Sequence, residues 1–209
     1  MIIQRVGGYC FKISAGPTTV AINPPAAKSS LKVNKFGSDL VVISLRHQDF
    51  DGAETATHGD KEPFVITGPG AYEVGDITIT GFATETSYDG DLAPVGNTVY
   101  IFDMDGIRVM ALGALSSGKL PQDLREELDG IGIALVPVGD GVLDPKAAHD
   151  LMVSIEPKII IPYGVGKGGD QAIASFLKAE GESGVKPEEK LTVRAKEVQE
   201  KDGDVVLLN

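Results

Sequence analysis

The chain has 209 residues, and 19 Lys and Arg against 30 Asp and Glu give a formal net charge of −11. This charge excludes a dedicated nucleic-acid binder, because the field of the whole protein would repel phosphates. It also disfavours an anionic membrane surface as a partner. With 42% hydrophobic and 23% charged residues, the composition is typical of a globular protein. No apolar run approaches the roughly 20 residues that span a bilayer.

The small numbers of cysteine and histidine residues indicate the cellular compartment and limit the kinds of metal site that the chain can form. The single cysteine, Cys10, cannot form an internal disulfide, and the N-terminal residues lack the apolar core of a signal peptide. We therefore expect a cytoplasmic protein. The chain has three histidines, His47, His58 and His149, which limits any metal site that relies on imidazole ligands.

The first half of the chain is rich in strands. Residues 6–14 predict a hairpin that turns at Gly7-Gly8, and Asp105-Gly106 predicts the turn of a second hairpin. The near-continuous apolar run of residues 39–44 favours a strand that is covered on both faces. Short apolar runs bounded by turn residues predict the remaining strands over residues 18–22, 64–67, 71–74, 77–81, 98–103 and 107–112.

After residue 112, strands alternate with helices. Asp144 and Pro145 predict the start of a helix that ends before Pro157. The other predicted helices cover residues 120–128 and 172–179, and the other predicted strands cover residues 131–138, 158–162, 191–193 and 205–208. No Pro- or Gly-rich linker separates two units, so we expect residues 1–209 to form a single domain.

Six short motifs follow one another in an order known from a protein superfamily. They are Gly8–Ile13, Val20–Pro24, Gly68–Val74, Gly96–Tyr100, Val136–Gly139 and Pro157–Pro162. Together they resemble the metallo-β-lactamase-fold superfamily, in its ascorbate-6-phosphate-lactonase-like branch of small cytoplasmic proteins. The resemblance implies an α/β fold, a four-layer αββα sandwich of two mixed sheets. It also implies hydrolysis by a metal-bound hydroxide.

The metal ligands of that superfamily are mostly absent from this sequence. Its His-x-His-x-Asp-His motif falls on Leu45, His47, Asp49 and Phe50, so the first and last histidines are replaced by apolar residues. The remaining ligand positions of the resemblance fall on Thr86, Ala114 and Gly164, and Asn23 replaces an aspartate.

His47 and Asp49 remain, one ligand for each metal position. Zinc sites use three or four protein ligands, so the sequence predicts a degenerate metal site, no metal cofactor and no hydrolysis of the superfamily's kind.

Three functions remain open. The first is a pseudoenzyme with a binding or interaction role, its old cleft filled by Leu45, Phe50 and Tyr163. The second is a hydrolase of a lactone or phosphoester that holds one divalent metal, such as zinc, through His47, Asp49 and oxygen ligands from Asp51 or Asp89. The third is a metal-free binder of a small anionic metabolite, which Arg46 and Lys167 would hold. Its open cleft would be lined by Leu45, Arg46, Phe50, Thr86, Ala114, Tyr163 and Gly164.

Structural roles compete with these functions. We expect Asp49 to accept backbone N–H bonds in its loop with His47 packed beside it. His58 and His149 are expected on the surface, and Cys10 in the core. Residues 164–170 are rich in glycine but lack the spacing of a phosphate-binding loop. The partner is unknown, and a homo-oligomer stays open because members of the resembled branch often self-associate.

Overall fold

The computed structural model describes residues 1–59, 62–90 and 95–209. Its strands are β1 (Ile2–Gly7), β2 (Cys10–Ala15), β3 (Thr18–Ile22), β4 (Leu40–Val42), β5 (Phe64–Ile66), β6 (Gly70–Val74), β7 (Ile77–Thr86), β8 (Val95–Met104), β9 (Ile107–Ala111), β10 (Ile133–Pro137), β11 (Ile159–Tyr163), β12 (Leu191–Thr192) and β13 (Asp204–Val205). Its α-helices are α1 (Gln122–Arg125), α2 (Pro145–Ile155), α3 (Gly169–Ala179) and α4 (Ala195–Gln199).

Two mixed sheets pack face to face. The first sheet has the strand order β12-β1-β2-β3-β4-β5, and the second has the order β13-β11-β10-β9-β8-β7-β6. The chain segment after α3 contributes to both sheets, because β12 pairs with β1 and β13 pairs with β11. The first hairpin forms as expected, but it turns at Gly8-Tyr9 because β1 extends through Gly7.

Apolar side chains on alternate strand residues build the core between the sheets. A second core separates the other face of the second sheet from the helices, where Met152 of α2 and Phe176 of α3 are buried. The outer face of the first sheet is covered by the 3-10 turn Ala53–Ala56, with Phe36 packed beside it. The layered α/β sandwich is therefore confirmed, and in the described chain the layer over the first sheet is reduced to this turn and loops.

The ends of α2 follow from its sequence. The Asp144 side chain accepts hydrogen bonds from the backbone N–H groups of Lys146 and Ala147, both at 3.0 Å. Pro145 occupies the first helical position, where no N–H is needed. At the other end Glu156 takes a left-handed conformation, with φ of 54°, just before Pro157. Among the described residues, no helix is long and apolar enough to cross a membrane.

Candidate functional site

The loops that follow β4, β7, β9 and β11 meet at one edge of the sandwich. The loop after β4 contacts the segment after β7, because the Tyr88 hydroxyl donates to Asp49 Oδ2 at 2.8 Å. That segment in turn contacts the loop after β9, because the backbone N–H of Ser87 donates to Ser116 Oγ at 3.1 Å. Loops at the ends of strands are where α/β proteins place their sites, so this edge is the candidate site.

A tight turn after β4 positions the side chains of residues 45–51. The backbone N–H of His47 donates to Leu45 O at 2.8 Å, and the N–H groups of Phe50 and Asp51 both donate to His47 O at 2.9 Å. The turn directs Phe50 into the core, where it is 0% exposed. The imidazole of His47 remains partly exposed.

His47 lies between two carboxylates. Its Nδ1 accepts a hydrogen bond from the backbone N–H of Asp49 at 3.2 Å, so the neutral ring carries its proton on Nε2. That Nε2 lies 3.4 Å from Asp89 Oδ2, and Nδ1 lies 3.7 Å from Asp49 Oδ2. The Asp89 side chain is 71% exposed, so solvent screens its interaction with His47.

Two hydroxyl groups donate hydrogen bonds to the carboxylate of Asp49. Ser29 Oγ donates to Oδ1 at 2.5 Å, and the Tyr88 hydroxyl donates to Oδ2. Ser29 is buried beneath the turn because its own loop is fixed there, with the N–H of Ala26 donating to Gln48 O at 2.8 Å. In residues 1–59, 62–90 and 95–209, the donors to the Asp49 carboxylate are these two hydroxyl groups and not the backbone N–H groups that we expected.

Four aromatic side chains pack behind this carboxylate, and we call Tyr9, Phe50, Tyr88 and Tyr163 the aromatic cluster. Tyr9 stacks on Phe50 with ring centroids 4.3 Å apart, and Tyr88 lies edge-on to both rings, at 5.4 and 5.1 Å. Tyr163 is 6.1 Å from Tyr9. Burial raises the pKa of Tyr9 to about 12 and also raises the pKa values of Tyr88 and Tyr163. The three hydroxyl groups are therefore neutral at physiological pH.

The predicted cleft residues fall into two groups. The first group is at most 4% exposed and consists of Leu45, Phe50, Thr86, Ala114 and Tyr163. Gly164 is partly exposed, and Arg46 and Lys167 are exposed. Arg46 Nη2 donates to Thr67 Oγ1 at 3.3 Å, so it extends over the surface. The assignment of Arg46 to the cleft stays a prediction, and in this structure its side chain contacts Thr67.

The residues at this edge do not fit the metal that the resemblance implies. In residues 1–59, 62–90 and 95–209, no group of three or more His, Cys, Asp or Glu side chains could hold a metal ion. Both oxygens of Asp49 and the Nδ1 of His47 already have hydrogen-bond partners. The backbone N–H of Asp51 donates to His47 O, which fixes Asp51 in the turn. Hydroxyl donors and an aromatic ring supply no ligand set for a divalent ion.

The backbone is tightly packed around two glycines at this edge, Gly164 and Gly113. A Cβ atom on Gly164 would lie 2.5 Å from the carbonyl oxygen of Gly169. Gly113, next to Ala114, has φ of 65°, and a Cβ there would lie 2.4 Å from the Cβ of Ser44. The Tyr163 hydroxyl donates to Gly113 O at 3.1 Å. A side chain at position 164 would therefore require the backbone of the loop between β11 and α3 to move.

The other residues chosen from the sequence lie outside this site. His58 is exposed as expected, and Cys10 is 0% exposed, where burial raises its thiol pKa to about 12. His149 is not a freely solvated side chain, since its Nδ1 lies 3.0 Å from Glu180 Oε1 and joins α2 to the end of α3. Sequence reasoning missed Ser29 and the role of the tyrosines, because no motif links them to Asp49.

Comparison with known proteins identifies the family. Residues 2–164 match the family described as the beta-lactamase superfamily domain. No curated protein matches the chain. A solved structure titled a "putative zn-dependent hydrolase of the metallo-beta-lactamase superfamily", from Thermotoga maritima, has a TM-score of 0.73 and 27% identity, covering 99% of this chain and 97% of that one.

Two further structures share the fold at lower identity. A "putative metal-dependent hydrolase" from Parabacteroides distasonis has a TM-score of 0.68 and 16% identity, covering 99% of this chain and 93% of that one. Igni18, titled a "novel metallo hydrolase", from Ignicoccus hospitalis has a TM-score of 0.59 and 18% identity, covering 92% and 99%. Since the family match spans well over half of the sequence, the chain belongs to the metallo-β-lactamase superfamily.

Proposed function

We propose that this chain is a non-catalytic member of the superfamily, a pseudoenzyme with a binding or interaction role and no resident metal. On its motifs we place it in the ascorbate-6-phosphate-lactonase-like branch. The observation that carries the proposal is the occupation of Asp49. Its carboxylate is held by Ser29 and Tyr88, and the aromatic cluster fills the space behind it.

The energetics of these contacts favour the metal-free state. Hydrogen bonds to a charged group are worth roughly 1.5–3 kcal/mol each, and two of them hold Asp49. An incoming ion would have to displace at least one hydroxyl group and would gain only His47 and the exposed Asp89 in return. Structural and catalytic zinc sites rely on three or four protein ligands, so this exchange is unfavourable.

A metal-dependent hydrolase is the second candidate. It is favoured by the 27% identical Thermotoga maritima protein, whose title names a zn-dependent hydrolase. It is also favoured by the position of Asp89, since His47 Nε2 lies 3.4 Å from its Oδ2. In this alternative one divalent ion such as zinc would be held by His47, Asp49 and Asp89 after Tyr88 has moved away from Asp49.

Binding of a small anionic metabolite at this edge has weaker support. Its proposed cationic groups are Arg46 and Lys167, both exposed, and Arg46 is hydrogen-bonded to Thr67. Leu45 and Phe50 are buried, so their side chains offer almost no accessible surface to a ligand.

Zinc titration by isothermal calorimetry distinguishes the first two candidates. We expect no saturable one-to-one binding by the wild-type chain at micromolar zinc. Binding with about one equivalent that is lost in His47→Ala and retained in His58→Ala would overturn the pseudoenzyme proposal. His58 is the matched control because it is an exposed histidine away from the site. The same variants, assayed with lactones and phosphoesters, show whether any bound ion supports hydrolysis.

A further inference from the structure

A groove lies on the outer face of the first sheet, beside Phe36, which covers part of that face. Its volume is about 330 Å³, within the range of pockets that bind small molecules. Gln4 and Val6 of β1 and Lys12 of β2 form the floor, and residues 34–36 form one wall. None of the residues assigned to the candidate site lines this groove, so it is a separate cavity.

The strand register places two polar side chains next to each other on the groove floor. Gln4 and Lys12 are cross-strand partners of β1 and β2. Their chain neighbours Ile3 and Ile13 are 0% exposed and belong to the core between the sheets, so Gln4 and Lys12 point to the outer face. The ammonium of Lys12 lies 5.7 Å from the centroid of the Phe36 ring, at the start of the wall. The floor therefore offers an amide and an ammonium side by side.

The wall segment is held against the sheet on both sides of the groove. At the end of β1, a Cβ atom on Gly7 would lie 3.1 Å from Val33 Cγ1, so Val33 packs closely on this backbone. At the other end, the backbone N–H of Phe36 donates to Thr55 O at 3.2 Å. Lys35 lies between these two contacts and lines the groove with an exposed side chain. The groove therefore has one lysine on its floor and a second on its wall.

No carboxylate neutralises these two lysines. In the part of the chain that the structure describes, the ammonium groups of Lys12 and Lys35 have no hydrogen-bond acceptor and no ion pair, and no acidic residue lines the groove. Arg5 also lines it, but the guanidinium donates to Gly164 O at 2.6 Å, away from the outer face. The two lysines therefore supply the charge of the groove.

The sequence separates these cations from the acids of the chain. Residues 1–38 contain five Lys and Arg and no Asp or Glu, so all 30 acids follow Ser38. Salt at physiological ionic strength screens charges beyond about 8 Å, so acids far from the groove have little effect there. A chain with a net charge of −11 therefore carries a local site for an anion.

We propose that this groove binds a small soluble molecule through a phosphate monoester group. Such a group carries close to two negative charges at neutral pH and three acceptor oxygens. It therefore pairs with Lys12 and Lys35 together and accepts a further hydrogen bond from the Gln4 amide. A carboxylate has a single charge and leaves one of the two lysines unpaired. The organic part of the ligand packs on Val6 and the Phe36 ring.

A phosphate monoester also occurs in the headgroup of phosphatidic acid. The net charge of −11 opposes approach to an extended anionic surface, so a soluble ligand is the better fit. The inference does not depend on the proposed loss of catalysis, because the groove and the Asp49 carboxylate share no residue.

Calorimetric titration with phenyl phosphate and benzoate tests the proposal, because the two probes share a ring and differ in the charge of the anionic group. We expect saturable one-to-one binding of phenyl phosphate, with benzoate at least about tenfold weaker. Lys12→Gln and Lys35→Gln should each weaken phenyl phosphate by about tenfold or more. Lys119→Gln is the matched control and should leave binding unchanged, because it alters the net charge equally at an exposed lysine that lines a different cavity.

Three results would overturn the proposal. The first is no saturable binding of phenyl phosphate up to about 10 mM, whether or not the chain sediments with equimolar phosphatidylcholine and phosphatidic acid vesicles. The second is benzoate binding as tightly as phenyl phosphate. The third is an equal effect of Lys35→Gln and Lys119→Gln, since only the net charge would then matter. Circular dichroism checks the fold of each variant, and Lys35→Gln keeps the test valid if Lys12→Gln unfolds. Zinc titration of the same samples reports separately on the proposed function.

Discussion

Removal of the Phe50 ring tests whether the aromatic cluster is a packed core. Phe50 is 0% exposed, stacks on Tyr9 at 4.3 Å and contacts the edge of Tyr88 at 5.1 Å. Truncation of a buried Phe to Ala typically costs 3–5 kcal/mol, and aromatic pairs place this site in the middle of that range or above. We therefore expect Phe50→Ala to lose about 4 kcal/mol of unfolding free energy.

The matched control is Phe64→Ala on the edge strand β5, where the side chain is 54% exposed. It makes the same chemical change and should cost less than about 1 kcal/mol. For a chain of this length, about 4 kcal/mol corresponds to a fall in Tm of roughly 8–16 °C. Urea and thermal unfolding followed by circular dichroism give both quantities. If Phe50→Ala cost no more than Phe64→Ala, the cleft would be open and the argument from the aromatic cluster would fail.

Three further predictions concern other parts of the account. Gly164→Ala should lower the free energy of unfolding by about 1–3 kcal/mol, because the added Cβ would lie 2.5 Å from Gly169 O. Gly68→Ala is the control, since a Cβ at Gly68 would have no atom within 4 Å and the variant should be near neutral. Urea unfolding measures both variants. Asp144→Ala should cost about 1 kcal/mol through the lost N-cap of α2, and an unchanged urea midpoint would contradict that role. Tyr9 has a pKa of about 12 in the folded state against 10.0 unfolded, so stability should fall as pH rises through that window, by roughly 2–3 kcal/mol from this group. Tyr9→Phe should lose less stability between pH 10 and 12, and an identical pH profile would count against burial of the hydroxyl.

The fold could be predicted because its signals are local. The cap of α2 at Asp144 and the turn at Asp105-Gly106 are short-range patterns, and the structure contains both. The reduced layer over the first sheet could not be predicted. It depends on how the Ala53–Ala56 turn and Phe36 cover a small apolar patch, which no periodicity in the sequence records.

The contacts of Asp49 could not be predicted from the sequence. Leu45, His47 and Phe50 can be read from it as neighbours of Asp49, but the groups that donate to its carboxylate cannot. Ser29 and Tyr88 lie 20 and 39 residues from Asp49 along the chain, and only the meeting of three loops brings them to one carboxylate. The contact between Arg46 and Thr67 could not be predicted for the same reason, since Thr67 comes from the loop after β5.

The hydrogen bonds from Ser29 and Tyr88 bear on whether Asp49 needs a metal ion. A vacant ligand position could be refilled by a nearby side chain, but a carboxylate held by two hydroxyl groups is stable without an ion. Tyr88 contributes twice, since its ring packs edge-on to Phe50 and its hydroxyl reaches Asp49. The packing of the aromatic cluster and the hydrogen bonding of Asp49 are therefore one structural feature.

Elemental analysis of the purified chain tests the central claim most directly. Protein prepared without chelator would be measured by mass spectrometry for zinc, iron and manganese, alongside His47→Ala. We predict less than about 0.1 equivalent of each metal per chain in both samples, because His47 and Asp49 alone cannot hold an ion against water. About one equivalent or more in the wild-type chain, lost in His47→Ala, would contradict the claim.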